Sequence, residues 1–195
     1  MLPRFILGCF MYKLFMVSDD YINFCYSYDH KVQMNKEEDR EFPKKYLGII
    51  YFNNGFKYYI PLSSYKPKKH DTMDEKIDFI RIEDDKGKYA VLNINNMLPI
   101  PDEAIINFDL NFLPNNTEKE RKYRDLLRNE WDVCVLKKDK IISSANKIYS
   151  MVEAGKPINI VDRCCKFKLH ESNIPIYLNK IQILQAQEEA SGTQE

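Results

Sequence analysis

Between Tyr58 and His70 the chain reads Tyr-Tyr-Ile-Pro-Leu-Ser-Ser-Tyr-Lys-Pro-Lys-Lys-His. A strand-like apolar run ends at Pro61. The hydroxyls of Ser63 and Ser64, the phenol of Tyr65 and the ammonium groups of Lys66, Lys68 and Lys69 follow at once. That set suits a phosphodiester, because lysines neutralise phosphate while hydroxyls make short hydrogen bonds to its oxygens. No metal-ligand motif and no Gly-rich nucleotide loop accompanies it. His30, His70 and His170 are far apart and form no i,i+4 pair, so no zinc site is expected. Chemistry at this stretch would come from hydroxyls, ammonium groups and the substrate itself, with no cofactor and no metal.

The charge pattern points the same way. The 195 residues carry 29 Lys+Arg and 29 Asp+Glu, a formal net charge of zero, which argues against a uniformly basic nucleic-acid binder. From Lys31 to His70, however, nine Lys/Arg face four Asp/Glu, an excess of +5 that the remainder balances at 20 against 25. A segregated positive patch on a neutral protein suggests one anionic partner at one place, although a solvated basic face gives the same count.

The elements that must position these groups can be read from periodicity. Tyr12–Val17 reads as a strand, and Ser18-Asp19-Asp20 as the cap and acidic first turn of a helix to about Asp29. Gln33–Glu41 reads as an exposed loop. Tyr46–Phe52 and Phe56–Pro61 form a hairpin around Asn53-Asn54-Gly55, and Ile77–Ile82 and Lys88–Ile94 a second one. Ala104–Leu110 adds a strand. Thr117 to Glu120 is a capping box that opens a helical region to about Glu153. As one rod that region would exceed about 50 Å, so one helix or two with a break near Lys137–Lys140 both fit. Phe167–Leu169 reads as a short strand and Pro175–Gln187 as the last helix. Strands followed by helices give an α+β class with an antiparallel sheet.

Length and apolar content fit one domain with a real core. Residues 1–10 hold a short apolar run, too short to span a bilayer and poorly formed as a signal peptide. They read best as an extension ahead of Met11 as the natural start. The domain then covers 11–187, with 188–195 a flexible tail. Cys9, Cys25, Cys134, Cys164 and Cys165 are odd in number and lack framework spacing, which predicts reduced thiols in a cytoplasmic protein.

Three segments carry a resemblance: Phe15–Ile22, Pro43–Ile49 and Pro61–Lys66 occur in the order and spacing of the ToxN/AbiQ toxins. It continues through Asn96–Ile100, the Tyr123–Val152 helical region and Cys165–Leu169, and so spans Met11 to about Leu178. These toxins are endoribonucleases of type III toxin–antitoxin systems. The resemblance implies a Kid/MazF-like fold, a curved antiparallel sheet with surrounding helices, and sequence-specific, metal-independent RNA cleavage. The implied partners are a repeated, pseudoknotted antitoxin RNA, processed by the toxin and assembled with it into an RNA-bridged ring, and cellular or phage mRNA as substrate. Growth inhibition and abortive phage infection would follow, with no membrane role.

Carried across residue by residue, the resemblance assigns catalysis to Tyr21, Lys44, Ser63, Ser64 and Lys66. Tyr65 stands where some members have proline, and Arg40 near a tyrosine of other members, a departure that leaves that role unassigned. Lys31, Arg40, Lys45, Tyr65, Lys68 and Lys69 are candidate RNA contacts. The chemistry implied is attack by the ribose 2′-hydroxyl, leaving a 2′,3′-cyclic phosphate and a 5′-hydroxyl. A partly buried lysine near other cations would have a lowered pKa suited to a general base. Two other readings stay open: a non-catalytic RNA-binding module, and a MazF-like ribonuclease neutralised by a protein.

Overall fold

The computed structural model describes residues 13–36, 41–51, 55–155 and 159–192. The 1–10 extension, Arg40 and the Asn53-Asn54 pair of the expected turn lie outside the described residues. β1 (Lys13–Val17) buries Leu14, Phe15 and Val17. Ser18 then caps α1 (Asp19–Tyr26), its hydroxyl accepting the Tyr21 N–H at 3.3 Å, with Asp19 and Asp20 at the positive end of the helix. The helix stops short of Asp29, whose carboxylate is taken up instead by the N–H of Lys166 and by His170.

β2 (Tyr46–Tyr51) and β3 (Lys57–Ser64) form the expected antiparallel pair. Gly55 holds the left-handed φ of +83° that a tight turn there demands. β2 carries a bulge between Leu47 and Ile50, and Gly48 within it lies so close to the Tyr59 ring that any side chain would collide. Next come α2 (Pro67–His70), β4 (Phe79–Glu83) and β5 (Lys88–Asn93), the last two forming the second hairpin.

One departure from the sequence reading matters for function. β3 does not end at Pro61 but runs on to Ser64, changing partners as it goes. Tyr46 faces Pro61 at the end of the β2 pairing, and Leu62, Ser63 and Ser64 pair with Leu92, Val91 and Ala90 of β5. Ser63 and Ser64 are therefore strand residues, fixed by a ladder rather than by turn chemistry. β6 (Leu98–Pro99) and β7 (Ile105–Asn107) complete a seven-stranded sheet, ordered β4-β5-β3-β2-β1-β7 with β6 on β3, and every pairing is antiparallel.

α3 (Glu118–Leu136) opens with the capping box, Thr117 accepting from the Glu120 N–H and Glu120 from the Thr117 N–H. Lys137, at φ −91° and ψ 11°, breaks the helix before α4 (Lys138–Glu153), so the two-helix alternative is the one adopted. After α5 (Asn159–Asp162), α6 runs from Phe167 to Gly192. The expected Phe167–Leu169 strand is thus the start of a helix that carries Pro175 inside it. Three residues of alternation are too few to tell the two states apart, and Pro175 resembled a helix start. The buried core joins the sheet to these helices, with Phe167 stacked on Tyr149 and edge-on to Tyr58.

Candidate active site

The residues approaching β2 and the far end of β3 meet on one side chain from the segment that follows α1, Gln33. Leu62 N–H donates to the Lys45 carbonyl at 2.9 Å, extending the β3 contact back to the lysine pair. Lys44 Nζ donates to Gln33 Oε1 at 2.6 Å, and Ser63 Oγ donates to the same oxygen at 3.2 Å. Gln33 is held in turn by its amide nitrogen, which donates to Asn96 Oδ1 at 3.0 Å. Asn93 of β5 donates to Ser63 Oγ at 3.0 Å. Ser63 thus has its proton and one lone pair committed, and its office is to fix Lys44 through Gln33. Within the Gln33–Glu41 stretch expected to be an exposed loop, Gln33 is instead a clamp and Asn35 is buried, donating to the Val17 carbonyl. Lys36 and Glu41 are exposed, and residues 37–40 lie outside the described residues.

These groups form the wall of an open cavity of about 600 Å³ that also takes in Ser64, Lys66, Lys69, His70 and Glu130. That volume lies within the range of about 300–1,000 Å³ usual for ligand sites. Ser64, Lys66 and Lys69 are exposed at the mouth, and their side chains have no hydrogen-bond or ion-pair partner among the described residues. His70 is buried, and its Nδ1 accepts the Lys66 N–H at 2.9 Å, which puts the proton of the neutral ring on Nε2. Burial and then the charges of Lys69, Lys66 and Arg81 hold His70 below its ordinary pKa, favouring that neutral form.

Lys44 and Lys45 are both only 3% exposed, so neither is a surface edge charge. Lys45 Nζ donates to the Pro43 carbonyl at 2.9 Å and lies 4.5 Å from the centre of the Phe108 ring. Burial brings its pKa down to about 8, against the opposing pull of Glu130, with Arg124 adding to the lowering. Glu130, across the cavity on α3, is 5% exposed, and burial pushes it up to about 7 against the attraction of Lys45. Lys45, expected only as an RNA contact, is thus a lysine whose pKa burial lowers. Phe42 and Tyr123, stacked at 4.1 Å, form an aromatic wall of the same space.

Comparison with known proteins bears directly on this arrangement. A profile of the toxin ToxN of type III toxin–antitoxin systems matches residues 13–175. The chain belongs to this family. Endoribonuclease ToxN of Bacillus thuringiensis subsp. kurstaki is 27% identical over 165 residues, covering 82% of this chain and 81% of that protein. Endoribonuclease AbiQ of Lactococcus lactis subsp. lactis is 26% identical over 175 residues, covering 86% and 90%. Among solved structures, AbiQ, a lactococcal anti-phage endoribonuclease, superposes with a TM-score of 0.73 at 24% identity, over 86% of this chain and 98% of that one. A type III toxin selectively inhibited by a non-coding RNA pseudoknot gives 0.72 at 25% identity, over 85% and 96%.

Of the residues assigned from the ToxN resemblance, the fold brings Lys44, Lys45, Ser63, Ser64, Lys66 and Lys69 to the cavity. Tyr21 is a correction. It is fully enclosed, its hydroxyl donates to the Pro99 carbonyl, and its ring packs edge-on to Tyr177 at 4.8 Å. A strongly amphipathic position early in α1 put it in the core, where burial drives its phenol far above the ordinary range. Lys31, Tyr65 and Lys68 do not line the cavity, and Tyr65 donates to Asp71 outside it. Gln33, Asn93 and Glu130 were missed. A polar residue alternating with apolar ones signals nothing until the partner strand is known.

Also buried, and apart from the cavity-lining residues, Asp29, Cys165 and His170 place three ligand-type atoms within 4.8 Å of one another. Burial raises the Cys165 thiol far above its usual range, so the thiolate a metal would need is disfavoured. Cys25, Cys134 and Cys164 are likewise buried free thiols. Among the described residues no helix is long and apolar enough to cross a membrane.

Proposed function

We propose that this chain is the endoribonuclease toxin of a type III toxin–antitoxin system, cleaving RNA in this cavity without a metal and held in check by a structured antitoxin RNA. The observation that carries the reading is the convergence of Lys44 and Ser63 on Gln33 beneath a mouth where Ser64, Lys66 and Lys69 lack side-chain partners among the described residues. Four lysines line the space against the two carboxylates Glu41 and Glu130, a setting for phosphate rather than for a divalent cation.

The scissile phosphate sits between the Lys44 and Lys66 ammonium groups, and the Ser64 hydroxyl donates to a phosphoryl oxygen. The ribose O2′ bonds to phosphorus as the bond to O5′ breaks. The 2′-hydroxyl loses its proton, the departing O5′ gains one, and the products are a 2′,3′-cyclic phosphate and a 5′-hydroxyl. Flanking bases splay out and stack on the Phe42–Tyr123 wall. The same groove binds the repeated antitoxin RNA, whose processing and RNA-bridged assembly belong to this reading, as do mRNA substrates and a cytoplasmic setting. The Kid/MazF-like description of the fold is part of it too, supported by an antiparallel sheet whose central strand changes partners at the site.

Lys44→Ala and Ser64→Ala test it. Each is expected to lower the rate of RNA cleavage by about 10²–10³, the usual cost of one positioned electrostatic donor, and to relieve growth inhibition on induction. Mapping the 5′ ends of the fragments should show 5′-hydroxyls. Undiminished cleavage by both variants would remove this cavity from the chemistry.

A further inference from the structure

Glu130 is left unused by the reading above, yet its placement is expensive. The buried face of α3 is Leu127, Glu130, Val133 and Cys134, spaced i, i+3, i+6 and i+7, so a carboxylate occupies a stripe that otherwise packs apolar surface. Enclosing such a group costs several kcal/mol unless it is paired, and Glu130 has no hydrogen bond or ion pair among the described residues. What it does have is an opening. Its side chain lines the cavity that holds Lys44, Ser63 and Ser64. The nearest influence on it is the Lys45 ammonium, which is itself buried and fixed by the Pro43 carbonyl.

We propose that Glu130 and Lys45 form a catalytic acid–base couple of this cavity, Glu130 taking the proton of the ribose 2′-hydroxyl and Lys45 giving one to the departing 5′-oxygen. This rests on the RNA-cleavage reading and deepens it. As the O2′–P bond forms, the O2′ proton passes to a Glu130 carboxylate oxygen. As the P–O5′ bond breaks, its electron pair stays on O5′, which takes a proton from Lys45 Nζ. Exchange with water then returns both groups to their starting forms, and nothing is oxidised or reduced. The remaining cavity lysines are left to hold the phosphate.

Titration supports the division of labour. With Glu130 near 7 and Lys45 near 8, carboxylate and ammonium coexist chiefly between those two values. Other charges face the couple from every side: Lys44 and Glu41 from the approach to β2, and Lys66, Lys69 and His70 from around α2. Arg124 acts on Lys45 from α3, and Cys134, one turn on from Glu130, is a thiol that Glu130 and burial hold protonated. His70 is another ionisable group of the same cavity, its pKa held below the ordinary imidazole value by burial, so the test must separate it from Glu130.

The experiment uses the purified full chain and a labelled RNA containing a site that the wild type cleaves. The rate is followed from pH 5.5 to 9.5 for the wild type, Glu130→Gln, Lys45→Arg and His70→Gln, with thermal melts alongside. The wild type should give a bell with limbs near pH 7 and 8. Glu130→Gln should cut the maximum about 10²–10⁴-fold and lose the acid limb, and Lys45→Arg should lose the alkaline one. His70→Gln should keep both limbs. A wild-type profile flat across the range, or a Glu130→Gln rate and profile matching the wild type, overturns the couple. A flat wild-type profile overturns the couple even if Glu130→Gln fails to fold, and a bell that His70→Gln retains supports it. A wild type that cleaves no RNA at all refutes the parent reading instead.

Discussion

Two polar clusters in this molecule are finished in opposite ways. Beneath α6, the Asp29 carboxylate receives the Lys166 N–H at 2.7 Å, the Lys31 N–H at 3.3 Å and His170 Nε2 at 2.9 Å, while His170 Nδ1 accepts from Tyr28 at 3.1 Å. Beside them, Glu171 receives the hydroxyls of Tyr58 and Tyr149, both at 2.8 Å. Burial by itself would raise the Asp29 carboxyl, but those donors together hold it below the ordinary value, and burial keeps His170 low and neutral. At the cavity, by contrast, the side chains of Ser64, Lys66, Lys69 and Glu130 have no hydrogen-bond or ion-pair partner among the described residues. Buried polar groups are normally satisfied by the fold itself. A cluster that is complete specifies structure, and one that is incomplete waits for a ligand.

The largest way to break this contrast is Asp29→Ala. Two backbone N–H groups and an imidazole lose their acceptor in a buried site, and removing one partner of such a buried pair costs about 3–5 kcal/mol. Denaturant titration should show that loss, while cleavage per folded molecule stays within about twofold. If stability held and cleavage vanished, the complete cluster would be functional and the contrast would be wrong.

Tyr21→Phe sharpens it at lower stake. The hydroxyl donates to the Pro99 carbonyl inside the core, and one such bond is worth about 0.5–1.5 kcal/mol net. A thermal melt should register that change, with the cleavage rate unaltered. A loss of cleavage beyond tenfold would restore Tyr21 to the active site that the ToxN resemblance gave it.

The fate of Tyr21 shows where the sequence stops being legible. Elements with long periods or explicit chemistry were readable: the Ser18 cap, the Gly55 turn, the Thr117–Glu120 box. The break at Lys137 was readable only as an alternative, since its backbone departs little from helix. β6 is two residues long and Phe167–Leu169 three, below the length at which period 2 and period 3.6 diverge. At the site, the lysines and serines announced themselves by type. Gln33 and Asn93 did not, because their meaning lies in contacts across 30 residues that the switch of β3 from β2 to β5 creates. Nor did Glu130, because its meaning lies in the cavity that α3 closes with those strands. Sequence showed which residues carry charge, and topology showed which of those charges are left unanswered.

That last distinction allows the finest test, between two lysines alike in type and exposure. Lys122 lies 2.7 Å from Glu118 one helical turn away on α3, whereas Lys69 has no carboxylate partner among the described residues. A cation already paired has little counterion to displace from RNA, but an unpaired one at a phosphate site releases one when RNA binds. For catalytically silent protein carrying Ser64→Ala, Lys69→Ala should flatten the plot of log affinity for single-stranded RNA against log salt by about 0.7. Lys122→Ala should leave that slope unchanged, and neither should change the unfolding free energy by more than about 0.5 kcal/mol, as is typical of surface substitutions. Equal slopes for the two variants would mean that the open lysines at the cavity mouth are no more than solvated surface.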